Sequence, residues 1–258
     1  MDLFLEDKVV LVAGSSRGIG LATVRAFLAE GCRTVVTGRD NIALTEARAS
    51  LESDFGHERL MACEGDLGDA KTISEVLGAI GDRWGPLDCL VANIGSGRGP
   101  RGWDLEESDW DRLFEANLSC TYRLVQQVLP EMIRSRQGSI VLVASIVGLE
   151  STRAPLPYSA AKAALINYGK NLAWEVGPLN VRVNCVAPGN ILFPGGSWER
   201  HLAERRDDVL REVDSEVPLQ RFGRVEEVAD LIVFLSSDRA AFITGSCVVA
   251  DGGQTRSM

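Results

Sequence analysis

Histidine is scarce in this chain, and cysteine never comes in close pairs. There are two histidines, and the six cysteines (Cys32, Cys63, Cys89, Cys120, Cys185, Cys247) stand far apart with no C-x-x-C motif. That spacing offers no zinc ligand set, so no metal is expected, and the thiols read as free in a reducing, cytoplasmic compartment. Also missing is any apolar run near the ~20 residues that a bilayer span requires. The nearest, 139–149, is short and carries Ser139 and Ser145, so no membrane partner is expected. Basic residues are not in excess. With 27 Lys and Arg against 36 Asp and Glu, the formal charge of −9 argues against nucleic acid or an anionic membrane as the main partner. The first seven residues carry early acids and no basic run, so no signal peptide is expected.

The 258 residues are 45% hydrophobic, enough for a sizeable core. Short β-branched runs at 9–13, 34–37, 60–63, 89–92, 139–144, 182–187 and 247–250 alternate with helical patterns at 19–30, 42–53, 70–84, 110–135, 158–176 and 226–236. Continuous apolar strands imply a sheet covered on both faces. The strand-then-helix rhythm implies right-handed crossovers and a parallel, doubly wound sheet. No linker or repeat divides the chain, and the expectation is one α/β domain of seven parallel strands over 1–258. Two excursions interrupt the rhythm: the glycine-rich stretch 95–103 and the long segment 188–222, read as a substrate-binding loop and lid. A mobile surface loop is the plainer reading of 95–103.

The first strand runs into Gly14-Ser15-Ser16-Arg17-Gly18-Ile19-Gly20, followed by a helical pattern. Glycines there permit a tight turn, and a pyrophosphate can rest against the positive N-terminus of the helix. The second strand ends in Gly38-Arg39-Asp40. An acid at that place selects the ribose hydroxyl of NAD, whereas arginine accommodates the 2′-phosphate of NADP. Arg17 and Arg39, as two guanidinium groups able to converge on one phosphate, favour NADP(H), with NAD(H) as runner-up because of Asp40. Asp40 reads better as the N-cap of the next helix. Further along stands Tyr158-Ser159-Ala160-Ala161-Lys162, in a chain with three tyrosines and four lysines. Residues i and i+4 share a helix face, so the Lys162 ammonium is expected beside the Tyr158 phenol, lowering its pKa for general acid and base work.

On this glycine loop and this Tyr-x-x-x-Lys pair, the chain resembles the short-chain dehydrogenase/reductase family, and in particular its 3-oxoacyl-acyl-carrier-protein reductases. The resemblance continues through Asn184 to Gly189, Ile243-Thr244-Gly245 and Asp251-Gly252-Gly253. It implies a Rossmann fold and a catalytic set of Asn117, Ser145, Tyr158 and Lys162. Ser145 would steady the substrate oxygen, Tyr158 would exchange the proton, and Asn117 would hold a water near the lysine. It also implies cofactor contacts at Gly14, Ser16, Arg17, Gly18, Ile19, Gly20, Arg39, Asp66, Leu67, Asn93, Gly95, Tyr158, Lys162, Pro188, Gly189 and Ile191. Two positions depart from the family pattern: Ile94 replaces an alanine, and Phe193 stands where a threonine usually touches the nicotinamide.

The implied reaction is hydride transfer between NADP(H) and a carbonyl or secondary alcohol, with a 3-oxoacyl thioester as the first substrate guess. A cyclic alcohol, sugar, steroid or natural-product ketone is the alternative. Phe193 and Trp198 read equally as a pocket wall, with Trp103, Leu149, Leu156 and Ile191 nearby, or as anchors of their loop. Residues 198–213 form a charged helical pattern with a narrow apolar stripe, suited to a lid. Arg98, Arg101 and Arg153 read either as solvated surface or as recognition of an anionic or acyl-carrier-bound substrate. A non-catalytic NADPH-binding regulator is the competing class, opposed by the intact Asn117, Ser145, Tyr158 and Lys162. A nucleotide-sugar epimerase would be longer, and an enoyl reductase would widen the Tyr-to-Lys spacing. Relatives form tetramers, so a homotetramer is expected.

Overall fold

The computed structural model describes residues 2–256; residues 1, 257 and 258, which the expected domain includes, lie outside them. Seven strands form one sheet: β1 (Val9–Ala13), β2 (Arg33–Gly38), β3 (Leu60–Glu64), β4 (Cys89–Ala92), β5 (Gly138–Val143), β6 (Val181–Pro188) and β7 (Cys247–Ala250). Their spatial order is β3-β2-β1-β4-β5-β6-β7, and every neighbouring pair is parallel. The connections carry α1 (Gly18–Ala29), α2 (Asn41–Phe55), α3 (Ala70–Trp84), α4 (Glu107–Phe114), α5 (Cys120–Ser135), α6 (Leu156–Val176), α7 (Ser197–Glu216) and α8 (Val225–Ser236). This is the doubly wound Rossmann sheet expected from the strand-and-helix rhythm.

Strand β1 shows why the sheet must be covered twice. All five of its residues are buried, and successive side chains point to opposite faces. Val9, Leu11 and Ala13 join a core with Ile73, Val76 and Ile80 of α3 and Leu124 and Val128 of α5. Val10 and Val12 join a second core with Phe27 of α1, Leu51 of α2 and Ile232 of α8. Strand order reverses between β1 and β4, so the loops after them leave in opposite directions and open a crevice at the carboxyl edge.

Two helices differ from expectation. The pattern 110–135 is not one α-helix: a π-helical turn, Glu115–Ser119, separates α4 from α5. The lid segment is helical over 197–216 but broken at Arg205, whose φ of −151° and ψ of 56° are not helical. All six cysteines are free, and burial pushes the Cys89 and Cys185 thiols up to about 12.

The far side of the sheet is pinned by Arg182 of β6. Its guanidinium donates to the carbonyls of Leu235 (2.8 Å), Ile243 (3.3 Å), Ser236 (3.2 Å) and Ser237 (3.0 Å). Three of these lie at the end of α8, where carbonyls lack helical partners and the dipole is negative. Asn184 extends the clasp, donating to the Ile243 carbonyl at 2.8 Å and accepting from Ser246 N at 3.1 Å. Removing the guanidinium leaves several carbonyls short of donors, a cost of about 3 kcal/mol. Arg182→Met is expected to lower unfolding stability by about that amount in urea titration; a loss below about 1 kcal/mol would show that water replaces the clasp.

Candidate active site

The glycine loop after β1 is shaped by backbone demands. Gly14 has a φ of +71° and Gly18 of +57°, conformations that other residues rarely take. A Cβ on Gly20 would stand 2.7 Å from Asn93 Nδ2, so only glycine lets α1 approach the strand edge this closely. Asn93, just beyond β4, donates to the Gly14 carbonyl at 2.7 Å and ties the two loops across the switch point. Thr37 of β2 completes the brace, its Oγ1 accepting from Gly14 N at 3.0 Å and donating to the Val12 carbonyl at 3.1 Å. Thr37 was not singled out in the sequence, where it is one of two threonines in β2 and no motif marks it.

Helix α1 begins without a side-chain cap, since Arg17 makes no capping hydrogen bond. Its first N–H groups are therefore left for an anion at the cleft. This glycine cradle and bare helix start fit a dinucleotide pyrophosphate. Asp40 caps α2, accepting from Ile42 N at 3.0 Å and Ala43 N at 3.2 Å. Its carboxylate is thus committed to the helix. The convergence of Arg17 and Arg39 is not seen. Arg39 is drawn to Asp66 Oδ2 at 3.2 Å, while an Arg17 nitrogen lies 3.6 Å from the place a Cβ on Gly195 would take. Both side chains are exposed arms on the wall of one cleft.

That cleft, about 1230 Å³, runs from Arg39 past the glycine loop to helix α7. Every expected cofactor position lines it except Gly18 and Gly20. Midway stand Ser145 and Tyr158, both on the lining of the cleft. Lys162 lies behind them, 4% exposed, donating from Nζ to the Val143 carbonyl at 2.8 Å. The ammonium is 6.0 Å from the Tyr158 ring centroid. Asn117, fully buried, sits in the π turn. Its Nδ2 donates to Leu113 O (2.9 Å) and Ser96 O (3.0 Å), and its Oδ1 accepts from Ser96 N (2.9 Å). Such turns present a side chain that a regular helix would hide. Here the amide clamps the loop after β4. A Cβ on Gly95 would fall 2.6 Å from Asn117 Oδ1 and 3.1 Å from Lys162 Nζ, so glycine is required by closeness alone.

The electrostatics differ from the expected tuning of the phenol by the lysine. Burial pushes the Tyr158 phenol up, partly offset by the Ser145 hydrogen bond, and the lysine is not among the causes. Burial pulls Lys162 itself down, from 10.5 to about 8. The two meet from opposite sides, because desolvation penalises the phenolate and the ammonium alike.

At the far end, Phe193 and Trp198 both line the cleft and also anchor their loop. A Cβ on Gly18 would stand 2.6 Å from the Phe193 ring, so this aromatic packs on the glycine loop. Trp198 meets His201 edge-on at 5.4 Å and Phe222 at 5.5 Å between centroids. Trp103, Leu149 and Leu156 do not line the cleft; Trp103 is 89% exposed. Its glycine-flanked position on the loop after β4 points it to solvent. The remaining wall mixes apolar Ile146, Val147, Ala154 and Pro155 with polar Arg98, Arg101, Arg153, His201 and Gln254. Among the described residues no helix is long and apolar enough to cross a membrane.

A family model described as Enoyl-(Acyl carrier protein) reductase matches residues 13–255. The 3-oxoacyl-[acyl-carrier-protein] reductase FabG of Thermotoga maritima is 37% identical over 254 residues, covering 96% of this chain and 98% of that protein. The chain belongs to the short-chain dehydrogenase/reductase family. The FabG of Escherichia coli is 35% identical over 248 residues, covering 96% and 97% of the two chains. Among solved structures, L-sorbose reductase from Gluconobacter frateurii, complexed with NADPH and L-sorbose, superposes with a TM-score of 0.90 at 32% identity over the whole of both chains. As a member of this family the enzyme is an oxidoreductase dependent on NADP(H).

The buried lysine makes a prediction about this short-chain dehydrogenase. Between about 8 and 10.5 the unfolded chain holds a proton that folded Lys162 has released. Stability therefore rises with pH across that window, and the burial penalty is fully present below it. Lys162→Met is expected to stabilise the cofactor-free protein at pH 7 by ~1–3 kcal/mol, a gain that fades towards pH 10.5. Denaturant titrations at the two pH values check this, and a destabilised variant at pH 7 would contradict it.

Proposed function

We propose that this enzyme reduces a ketone to a secondary alcohol, with Tyr158 as the proton donor. The observation that carries the reading is the meeting of Ser145, Tyr158 and Lys162 midway along a cleft whose other half is a glycine cradle. When bound along that cradle, NADP(H) supplies or takes up the hydride, the chemistry being the cofactor's own. Tyr158 gives its hydroxyl proton to the carbonyl oxygen as negative charge builds there, and Ser145 donates a hydrogen bond to the same oxygen. Lys162, held by the Val143 carbonyl, places a positive charge behind the phenol and favours the phenolate that remains. Asn117 supports the site by fixing Ser96, and so the loop that faces Tyr158. In this reading 188–222 is the substrate loop and lid of a single domain.

A 3-oxoacyl thioester or similar ketone is the substrate class we favour, supported by the FabG relatives. The four-residue step from Tyr158 to Lys162 supports carbonyl rather than enoyl reduction, despite the description of the matching family model. The sorbose reductase likeness supports a hydroxylated ketone as second reading. A homotetramer in the cytoplasm completes the picture, the location supported by free thiols and the assembly by Trp174 of α6, an aromatic 81% exposed. Light scattering should return four chain masses; one chain mass would remove the assembly.

The test follows NADPH consumption against a panel of ketones in the wild type, Tyr158→Phe and Arg39→Ala. Tyr158→Phe is expected to lose roughly 10²–10⁴-fold in kcat while still binding NADPH by fluorescence titration. Arg39→Ala is expected to weaken NADPH towards the NADH level. Equal binding of NADH by the wild type would undo the cofactor assignment, and full turnover by Tyr158→Phe would undo the proton donor.

A further inference from the structure

The chain is acidic overall, and most of its surface arginines lie against a carboxylate. Arg48 meets Glu52 at 2.8 Å, Arg112 meets Asp109 at 2.8 Å and Arg221 meets Glu227 at 2.7 Å. On the wall of the cleft Arg17, beside the glycine loop, Arg256, near the C-terminal end, and Arg101 and Arg153 are exceptions. Arg101, in the loop after β4, and Arg153, in the loop before α6, have no ion pair and no side-chain hydrogen bond among the described residues. Leaving such groups bare in a protein of charge −9 is unusual, because acids to pair them are plentiful.

Arg101 follows the loop that passes Tyr158, Arg153 precedes the helix that carries it, and both line the cleft. The loop that carries Arg101 passes Tyr158 so closely that a Cβ on Gly97 would lie 3.3 Å from its ring, and Arg98 reaches across to the Gly195 carbonyl at 3.3 Å. On the opposite wall, α7 offers His201, whose buried Nδ1 has no partner. Burial and then the charges of Arg205, Arg101 and Arg200 pull His201 down, which sets Arg101 within electrostatic reach of α7. The acids on this wall are already engaged. Glu212 pairs with Arg205 at 3.4 Å, and Glu150 accepts from Arg256 N at 2.6 Å. Glu216, a turn beyond Glu212, also lines the cleft, while Asp40 and Asp66 belong to its Arg39 end.

From this placement we infer that the substrate carries a carboxylate remote from its reacting carbonyl, and that Arg101 and Arg153 bind it. Guanidinium groups suit carboxylates because their forked N–H donors match two oxygens at once. Arg98 is set aside as a positioning residue, since its guanidinium is spent on Gly195. The inference rests on the ketone-reductase reading above and narrows its substrate to a keto acid, in place of the 3-oxoacyl thioester that the FabG relatives suggest.

The test compares 5-oxohexanoate with its ethyl ester, which share the carbonyl and differ in charge. Wild type and the Arg101→Gln/Arg153→Gln double variant are each assayed for NADPH consumption and for ligand binding to the NADPH complex by calorimetry. In the wild type the acid is expected to exceed the ester in kcat/KM, or in affinity if neither turns over, by about tenfold or more. The double variant is expected to bring the two to parity while the ester keeps its wild-type value, a selectivity that general damage to the fold would not produce. An ester used or bound as well as the acid by the wild type overturns the inference and leaves the reductase reading standing. So does a double variant that weakens both alike, or a wild type that binds neither. Failure to bind NADPH at all overturns the reductase reading itself.

Discussion

Lys162 keeps an ammonium almost out of water at the end of β5, answered by one carbonyl, that of Val143. A charge so placed is expensive, and the cleft is organised around that expense. The phenol that needs the charge lies four residues earlier on the same helix face. The glycine at 95 exists because any side chain there would collide with the lysine and with Asn117. The carbonyl that receives the lysine is delivered by a strand buried on both faces, and that strand has its register set by β4 and β6. Without the doubly covered sheet no rigid carbonyl would stand there, and the lysine would retreat to solvent.

The strands, six of the helices and the position of the cleft were legible because each rests on local pattern. Apolar runs such as Val9–Ala13 can only be buried strands between two helical layers, and a glycine cluster at a strand end can only be a tight turn. The Tyr-x-x-x-Lys pair was legible for the same reason, since helical spacing alone brings its members together. Even Asp40 could be assigned to a cap from its place before a helical pattern.

What stayed hidden depends on contacts between segments distant in the chain. Nothing in Glu115 to Ser119 announces a π turn; it is selected because Asn117 finds three partners, two of them on Ser96. Phe193 could be seen to replace a threonine, but not to lie on Gly18, 175 positions earlier in the chain by numbering. The phenol's pKa was misjudged because a sequence shows the neighbouring cation and does not show the depth of burial, which here is the larger effect. His201 and Gln254 reach the cleft through the folding of α7 and the C-terminal stretch, and no motif marks them.

The π turn also sets the phase of everything around it. A π turn holds one more residue than an α turn, so the helix beyond it is rotated by about 100° relative to an uninterrupted one. Leu113 before the turn and Leu124, Val128 and Met132 after it are all buried. The turn that places Asn117 against Ser96 thus also sets which face α5 presents to the sheet. Whatever shortens this segment by one residue must carry the amide out of the site and turn the helix on its bed in the same motion.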